Sequence, residues 1–252
     1  MKKVLLSILL IILCALESQA FTVVIDAGHG GKDAGALGLR SREKNINLAV
    51  ALALGNLIKN NLPDVKVVYT RSTDVFVELD HRARIANKAK ADLFISIHTN
   101  STAAGRSGTR VCGAETYTLG MHRAAENLAV AKRENSVITL ESNYEQRYEG
   151  FDPSSSESYI IFELMQDQNM AASVDFASRV QTQFRSTAGR VNKGVHQAGF
   201  LVLRQTSMPS VLVELGYINN INEEAFLMSA DGQQKMARSI FNAFKDYYRK
   251  AR

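Results

Sequence analysis

Two histidines and two glutamates are the residues of this sequence whose types and positions could support chemistry. His29 and His98 each follow a short apolar run and pass into a loop of small or polar residues. Glu43 stands before apolar residues at helical spacing, and Glu214 interrupts the apolar segment Ser210–Tyr217. Two imidazoles and one carboxylate, with a fourth position left for water, form the ligand set of a hydrolytic zinc site. His29, Glu43 and His98 fit that set as ligands of one zinc ion.

Glu214 would supply the base that such a site needs. Burying an unpaired charge costs several kcal/mol, so a carboxylate inside an apolar strand requires a partner such as a metal with its bound water. Zinc lowers the pKa of bound water towards about 7, and a second carboxylate can pass the water's proton to the leaving amine. We therefore predict a catalytic role for Glu214.

Other interpretations of these residues remain open on spacing alone. A histidine at a strand end is about as often a structural hydrogen-bonding group as a metal ligand. Glu43 could serve only to stabilise the positive end of a helix dipole. His196 directly precedes a strand edge and is an alternative ligand, whereas His81 and His122 lie in polar, helical surroundings.

The predicted strands and helices that would position these residues alternate along the chain. Strands are predicted over residues 23–27, 65–69, 93–98, 114–119, 195–203 and 210–217. Helices are predicted from residue 43 and over residues 79–89, 123–133, 171–184 and 233–248, with Arg82 on the solvent side of its helix. This alternation predicts an α/β fold, a three-layer α/β/α single domain with its chemistry at the carboxyl edge of the sheet.

Residues 1–20 have the pattern of a secretory signal peptide. Lys2 and Lys3 precede an almost wholly apolar run, Val4–Leu13, and Ser18-Gln19-Ala20 provides a small-x-small cleavage site. The apolar run is far shorter than the roughly 20 residues of a spanning helix, so we expect no stable membrane span. The sequence predicts an exported protein of the periplasm or cell envelope.

The chain after cleavage would keep 28 basic and 24 acidic side chains, a net charge of +4. This mild excess suits an anionic envelope and gives no reason to expect a nucleic-acid partner. Cys112 would be its only cysteine, so an intrachain disulfide is excluded and the fold must depend on its apolar core. We expect one catalytic domain over residues 21–252, acting as a monomer.

Four blocks of the sequence resemble the zinc-dependent N-acetylmuramoyl-L-alanine amidases of bacterial cell-wall turnover, in their amidase type 3 catalytic domain. The blocks are Val24–Gly31, Glu43-Lys44 before an apolar helix, Ser96–Asn100 and Val213–Ile218. The resemblance implies hydrolysis of the amide between the lactyl group of N-acetylmuramic acid and the L-alanine of the peptidoglycan stem peptide, in wall turnover or daughter-cell separation. It also implies a mixed, mostly parallel sheet between helices.

The same resemblance implies roles for individual residues. In that family the positions matching His29, Glu43 and His98 bind zinc, and the position matching Glu214 is the catalytic glutamate. This chain has Thr99-Asn100-Ser101 where the family more often has alanine, a departure that leaves the ligands untouched and affects only the expected substrate contacts. Asn100 is a candidate for such a contact.

Residues 136–169 interrupt the alternation of strands and helices, and we predict that they form a helical insertion. Some division-associated members are similar in carrying a helical insertion that covers the zinc until a partner protein displaces it. We hypothesise that residues 138–168 form such a lid, with Glu141, Glu145 or Glu149 reaching the open zinc position and a protein activator displacing it. The alternative is an ordinary groove wall that binds glycan or peptide.

Two other functions use the same residues differently. A zinc peptidase or carboxypeptidase would need the same metal, water and glutamate, and analysis of the products distinguishes it from an amidase. A catalytically silent wall-binding protein is the non-enzymatic alternative, and retention of all four candidate residues argues against it.

Overall fold

The computed structural model describes residues 20–106, 108–122, 124–163 and 168–252. The predicted signal peptide, except for Ala20, therefore lies outside the described residues. The strands are β1 (Phe21–Ala27), β2 (Val65–Tyr69), β3 (Leu93–Asn100), β4 (Ala114–Leu119), β5 (Asn192–Ala198) and β6 (Ser210–Tyr217). The helices are α1 (Glu43–Asn61), α2 (Leu79–Lys88), α3 (Ala125–Asn135), α4 (Tyr144–Arg147), α5 (Met170–Ser186), α6 (Leu201–Arg204), α7 (Ile221–Met228) and α8 (Ala230–Ala251), with 3-10 helices at Ser136–Leu140 and Glu157–Glu163.

The six strands form one sheet in the order β2-β1-β3-β6-β4-β5. All neighbouring strands are parallel except β4 and β6, which are antiparallel. This confirms the predicted α/β domain with a mixed, mostly parallel sheet. Because β1, β3 and β6 are parallel and adjacent, their carboxyl ends meet at one edge, and β3 and β6 place His98 directly beside Glu214.

Apolar side chains hold helices against both faces of the sheet. One face packs against α1, α5 and α8, and the other packs against α2, α3, α6 and part of the insertion. Ile240 and Phe244 of α8 are fully buried, and each such side chain contributes roughly 1.5–3 kcal/mol to folding. None of the described helices combines the length and apolarity needed to cross a membrane.

Two parts of the chain differ from the sequence prediction. The predicted strand over residues 195–203 is wrong in its second half, because β5 ends at Ala198 and Leu201–Arg204 form α6. A short apolar run does not distinguish a buried strand from a buried helix. Helix α7 was not predicted, and it begins where the Asn220 side chain accepts hydrogen bonds from the backbone N–H groups of Asn222 and Glu223. The described residues 136–163 form turns and short helices without a strand.

Candidate metal centre

His29 occupies a tight loop directly after β1. Its backbone is left-handed, with φ 61°, a conformation that non-glycine residues adopt rarely and that often marks a functional position. Gly28 packs so closely that a Cβ there would lie 2.3 Å from Nε2 of His98. Nδ1 of His29 lies 2.6 Å from the Asp33 carboxylate, and when the neutral imidazole donates from Nδ1, its Nε2 is the atom left to bind a metal.

Two buried arginines hold this loop in place. Arg71 donates to the carbonyl of Gly28 at 2.8 Å, and Arg82 donates to the carbonyl of His29 at 2.9 Å. Arg82 also forms a 2.7 Å ion pair with Asp26, and its side chain is only 2% exposed. The expectation that Arg82 lies on the solvent side of α2 is therefore wrong, because helical spacing could not reveal the carbonyls it binds.

Glu43, the first residue of α1, points into the site. Its side chain is completely buried. Its Oε1 accepts from the Thr99 backbone N–H at 2.9 Å and from the Asn47 amide at 3.1 Å, while Oε2 accepts from the Ala36 backbone N–H at 2.8 Å. These donors come from β3, from the next turn of α1 and from the loop before it, so the carboxylate has a fixed orientation. A helix-dipole role alone would not account for these contacts.

The structure brings His29, Glu43 and His98 together and adds a fourth residue, Glu134 of α3. One ligand atom from each of the four residues lies within 4.8 Å of all the others. Oε2 of Glu134 lies 3.0 Å from His29 Nε2 and 2.9 Å from His98 Nδ1, and Oε1 of Glu43 lies 3.1 and 3.2 Å from the same two nitrogens. Glu134 was not among the residues predicted from the sequence.

This cluster suits a zinc ion. Four ligands at zinc's usual bond lengths stand about 3.3 Å apart in a tetrahedron, close to the nitrogen–oxygen separations in the cluster. His29 Nε2 and Glu134 Oε2 are buried and make no hydrogen bond among the described residues. Burial would lower the pKa of His29, but the carboxylates of Glu43, Asp33 and Glu134 outweigh burial and raise it well above its usual range. The site therefore favours a positive charge.

Glu214 lies beside this cluster and forms a long ion pair with Arg133. It is 1% exposed, and neither carboxylate oxygen has a hydrogen-bond partner among the described residues. Nη2 of Arg133 lies 3.7 Å from Oε1. Burial and the charge of Glu134 raise the pKa of Glu214 well above its usual range, with Arg133 opposing them. Such a carboxylate has the proton affinity expected of a general base.

The last turn of α3 contacts both the candidate ligands and the surroundings of Glu214. Glu134 enters the cluster, while the guanidinium of Arg133 donates to the Asn100 side-chain oxygen at 2.9 Å and to the Ser101 carbonyl at 2.8 Å. Arg133 also donates to Oε1 of Glu134 at 2.9 Å, so the two residues act as one unit. Consecutive residues therefore place a carboxylate among the candidate ligands and a guanidinium beside Glu214.

The three glutamates predicted to reach the open metal position lie elsewhere, and that prediction is wrong. Glu141 is buried against the start of α2, where it accepts from the Leu79 backbone N–H at 2.8 Å. Glu145 is exposed on α4, and the Glu149 side chain is 81% exposed. After Glu134 the chain lines the cavity at the candidate ligands as far as Leu140 and then turns away, so these three glutamates do not reach the cluster.

Two cavities lie against α3, and one of them adjoins the candidate ligands. One of about 330 Å³ is lined by His29, Glu43 and Glu134, and the other, of about 680 Å³, lies under α3 beside β4 and β5. His196 lines the second cavity, where its Nε2 donates to the Lys193 carbonyl at 3.0 Å. His196 is therefore not part of the cluster.

Comparisons with known proteins all match the chain to N-acetylmuramoyl-L-alanine amidases. A family model described as N-acetylmuramoyl-L-alanine amidase matches residues 23–246. The chain is 35% identical to the amidase AmiC of Escherichia coli O6:H1, over 92% of this chain and 54% of that protein, so it spans about half the length of that relative. It is 33% identical to the amidase AmiA of Escherichia coli K12, over 90% of this chain and 75% of that protein. The solved catalytic domain of the amidase CwlV from Bacillus (Paenibacillus) polymyxa var. colistinus matches with a TM-score of 0.66 and 32% identity, over 91% of this chain and 98% of that domain.

Proposed function

The chain belongs to the N-acetylmuramoyl-L-alanine amidases, which hydrolyse peptidoglycan, and we propose that it cuts the bond between the lactyl group of N-acetylmuramic acid and L-alanine. The observation that supports this reaction most strongly is the buried carboxylate of Glu214, which makes no hydrogen bond among the described residues and lies beside the cluster of His29, Glu43 and His98. Residues 1–20 would export the enzyme to the periplasm or cell envelope, where its substrate lies, for a role in wall turnover or cell separation.

We assign His29, Glu43 and His98 as the ligands of one zinc ion. When bound, zinc would supply a Lewis acid and a water of lowered pKa. Asp33 fixes the His29 tautomer, and the Thr99 N–H fixes the Glu43 carboxylate, so the ligand atoms are oriented before the metal arrives.

Glu214 would move the proton that the reaction requires. One of its carboxylate oxygens takes a proton from the attacking water and then donates it to the departing nitrogen of L-alanine. Asn100 would contact the substrate, because its Nδ2 is buried and makes no hydrogen bond among the described residues. Its Oδ1 accepts from Arg133 and from the Ser101 N–H, so the free amide N–H group has a fixed direction.

We further propose that this conformation is an autoinhibited one. Glu134 occupies the place that the attacking water and the substrate carbonyl would need, and Arg133 lies beside the base. The lid would comprise α3 and residues 138–168, and a protein activator would displace it. The hydrogen bonds that fasten the lid include one from the Leu201 N–H to the Asn135 side chain at 2.9 Å and one from Lys32 to the Leu140 carbonyl. A simple groove wall would leave the fourth metal position free.

The products of peptidoglycan digestion test the proposed reaction. Residues 21–252 are incubated with zinc and purified peptidoglycan, and the released fragments are identified by mass, for the wild-type sequence and for Glu134→Ala. We expect intact stem peptides that begin with L-alanine. Cuts within the stem would indicate a peptidase, and the absence of fragments from both proteins would indicate a wall-binding protein.

A further inference from the structure

The positive charge of this protein is concentrated at one end of the domain. Strands β1, β2 and β3 begin at the edge of the sheet opposite to the candidate metal centre, and α1, α2 and α8 end there. We call this end the amino edge and define it as residues 20–21, 59–66, 88–93 and 245–252. It carries eight basic and three acidic side chains, a net charge of +5, whereas residues 21–252 together carry +4. The remainder of the domain therefore has no positive excess.

Contacts between these segments show that they form one surface. The ring of Phe21 lies 5.3 Å from the ring of Tyr248, so the first residue of β1 packs against the last turn of α8. In the sheet, Phe21 pairs with Val65 at the start of β2. The backbone N–H of Thr22 donates at 2.7 Å to Asp92, which directly precedes β3. The four segments therefore lie side by side.

Most of the positive charge at the amino edge has no ion-pair partner. Lys250 lies 3.4 Å from Asp175 of α5, and Arg252 lies 3.4 Å from Asp64. Against the remaining basic residues stands the exposed Asp246, which has no printed contact to any of them. Six basic side chains, all exposed except the half-buried Lys245, form no ion pair among the described residues: Lys59, Lys66, Lys88, Lys90, Lys245 and Arg249. Such a surface attracts an anionic partner.

Stabilisation of helix ends does not account for this pattern. A basic residue in the last turn of a helix interacts favourably with the negative end of the helix dipole, and Lys59, Lys88 and Arg249 are placed to do so. Lys66, however, lies within β2, and Lys90 lies beyond the end of α2. Lys90 also has a left-handed backbone, with φ 49°, where glycine is usual after a helix. Its side chain therefore gives the fold no evident benefit.

The place where residues 1–20 join the domain indicates which anionic partner this edge would meet. Their sequence predicts a secretory signal peptide, and they join the domain at Phe21, within the amino edge. Before cleavage, the amino edge would be the part of the domain nearest to the membrane. The candidate metal centre lies at the opposite edge of the sheet, so a membrane contact here would leave it facing away from the lipid.

We propose that the amino edge docks on an anionic phospholipid surface, with Lys66, Lys88, Lys90 and Arg249 as contacting groups. The proposal does not depend on the amidase function. Each basic side chain close to an anionic bilayer increases partition onto it about fivefold, and salt screens this attraction. Docking would therefore be weak and reversible, and would keep the exported protein at the membrane with its metal centre directed away from it.

Co-sedimentation with vesicles tests the proposal. Residues 21–252 are mixed with vesicles of phosphatidylcholine alone, or of phosphatidylcholine with phosphatidylglycerol. We expect binding only to the anionic vesicles at low salt, with release at high salt. Combining Lys66→Gln, Lys88→Gln, Lys90→Gly and Arg249→Gln should lower the partition coefficient by about a hundredfold. Thermal unfolding should be unchanged, because the four side chains are exposed and glycine suits the backbone at Lys90.

A variant with the same change of net charge is the matched control. It replaces four exposed arginines outside the amino edge by glutamine, and it should bind anionic vesicles as the wild type does: Arg40, Arg42, Arg110 and Arg185. Equal losses in the two variants would overturn the proposal, because net charge alone would then explain binding. Absence of binding to anionic vesicles, or binding to purified teichoic acid in its place, would also overturn it.

Fluorescence quenching tests the orientation. Cys112, the only cysteine of residues 21–252, is exposed and precedes β4, which runs antiparallel to β6 and so begins at the edge away from the amino edge. A fluorophore on Cys112 should keep its emission beside anionic vesicles that carry spin-labelled lipid. The same fluorophore on Asn60→Cys, in a Cys112→Ser background, should be quenched. Equal quenching at both positions would contradict docking by the amino edge.

Discussion

Glutamine in place of Glu214 should lower peptidoglycan turnover by about 10²–10⁴-fold, the usual contribution of a general base. The amide has the shape of the carboxylate but cannot accept the proton of the attacking water. Because Glu214 makes no hydrogen bond among the described residues, the substitution should not break the surrounding structure. The measurement is the rate of stem-peptide release at saturating zinc.

Zinc content and thermal unfolding serve as controls for this substitution. Both should match the wild-type protein, because Glu214 is not one of the proposed ligands. Glu214→Asp should retain more activity than Glu214→Gln, since it keeps a carboxylate that is one methylene shorter. Full activity in Glu214→Gln would remove this residue from the mechanism.

Replacing Glu134 by alanine should have the opposite effect and raise the rate of release by about ten- to a hundredfold. The wild-type rate depends on the fraction of molecules whose lid is open, and each 1.4 kcal/mol removed from the closed state increases a small open fraction tenfold. Glu134 contacts both histidines and Arg133, so its loss removes several charge-assisted contacts from the closed state alone. Rates of the two proteins are compared without any activator.

Glu145→Ala is the matched control, because it removes an exposed glutamate of the same insertion that does not reach the cluster. Its rate should equal that of the wild type. An unchanged or reduced rate in Glu134→Ala, with zinc content retained, would show that α3 is an ordinary wall of the site. Arg133→Ala should give a smaller increase than Glu134→Ala, since Glu134 would still occupy the cluster.

The sequence was informative where a polar residue breaks an apolar pattern. His29, His98 and Glu214 all stand at or within strands that are otherwise apolar, and parallel pairing of β1, β3 and β6 brings such positions to one edge. The fold class followed from the alternation of strands and helices, and Glu43 followed from its place at the start of α1. These inferences need only local periodicity and the geometry of parallel sheets.

Glu134 could not be found in this way. It belongs to the polar run Lys132–Asn135, where a glutamate is as ordinary as on any exposed helix surface. Its burial arises from the packing of α3 over the sheet edge, a long-range contact that local spacing does not encode. The same limit applies to Arg82, whose partners are the Asp26 carboxylate and backbone carbonyls of the His29 loop.

A zinc titration of metal-free protein tests the central claim most directly. Residues 21–252 carrying Glu134→Ala are stripped of metal, zinc is added in steps, and bound zinc and the release of peptides beginning with L-alanine are measured on the same samples. We expect release to be absent without zinc, to rise in proportion to bound zinc and to level off at one ion per chain. Release by the metal-free protein, or zinc binding that leaves release at zero, would contradict the assignment of this site as a zinc-dependent amidase centre.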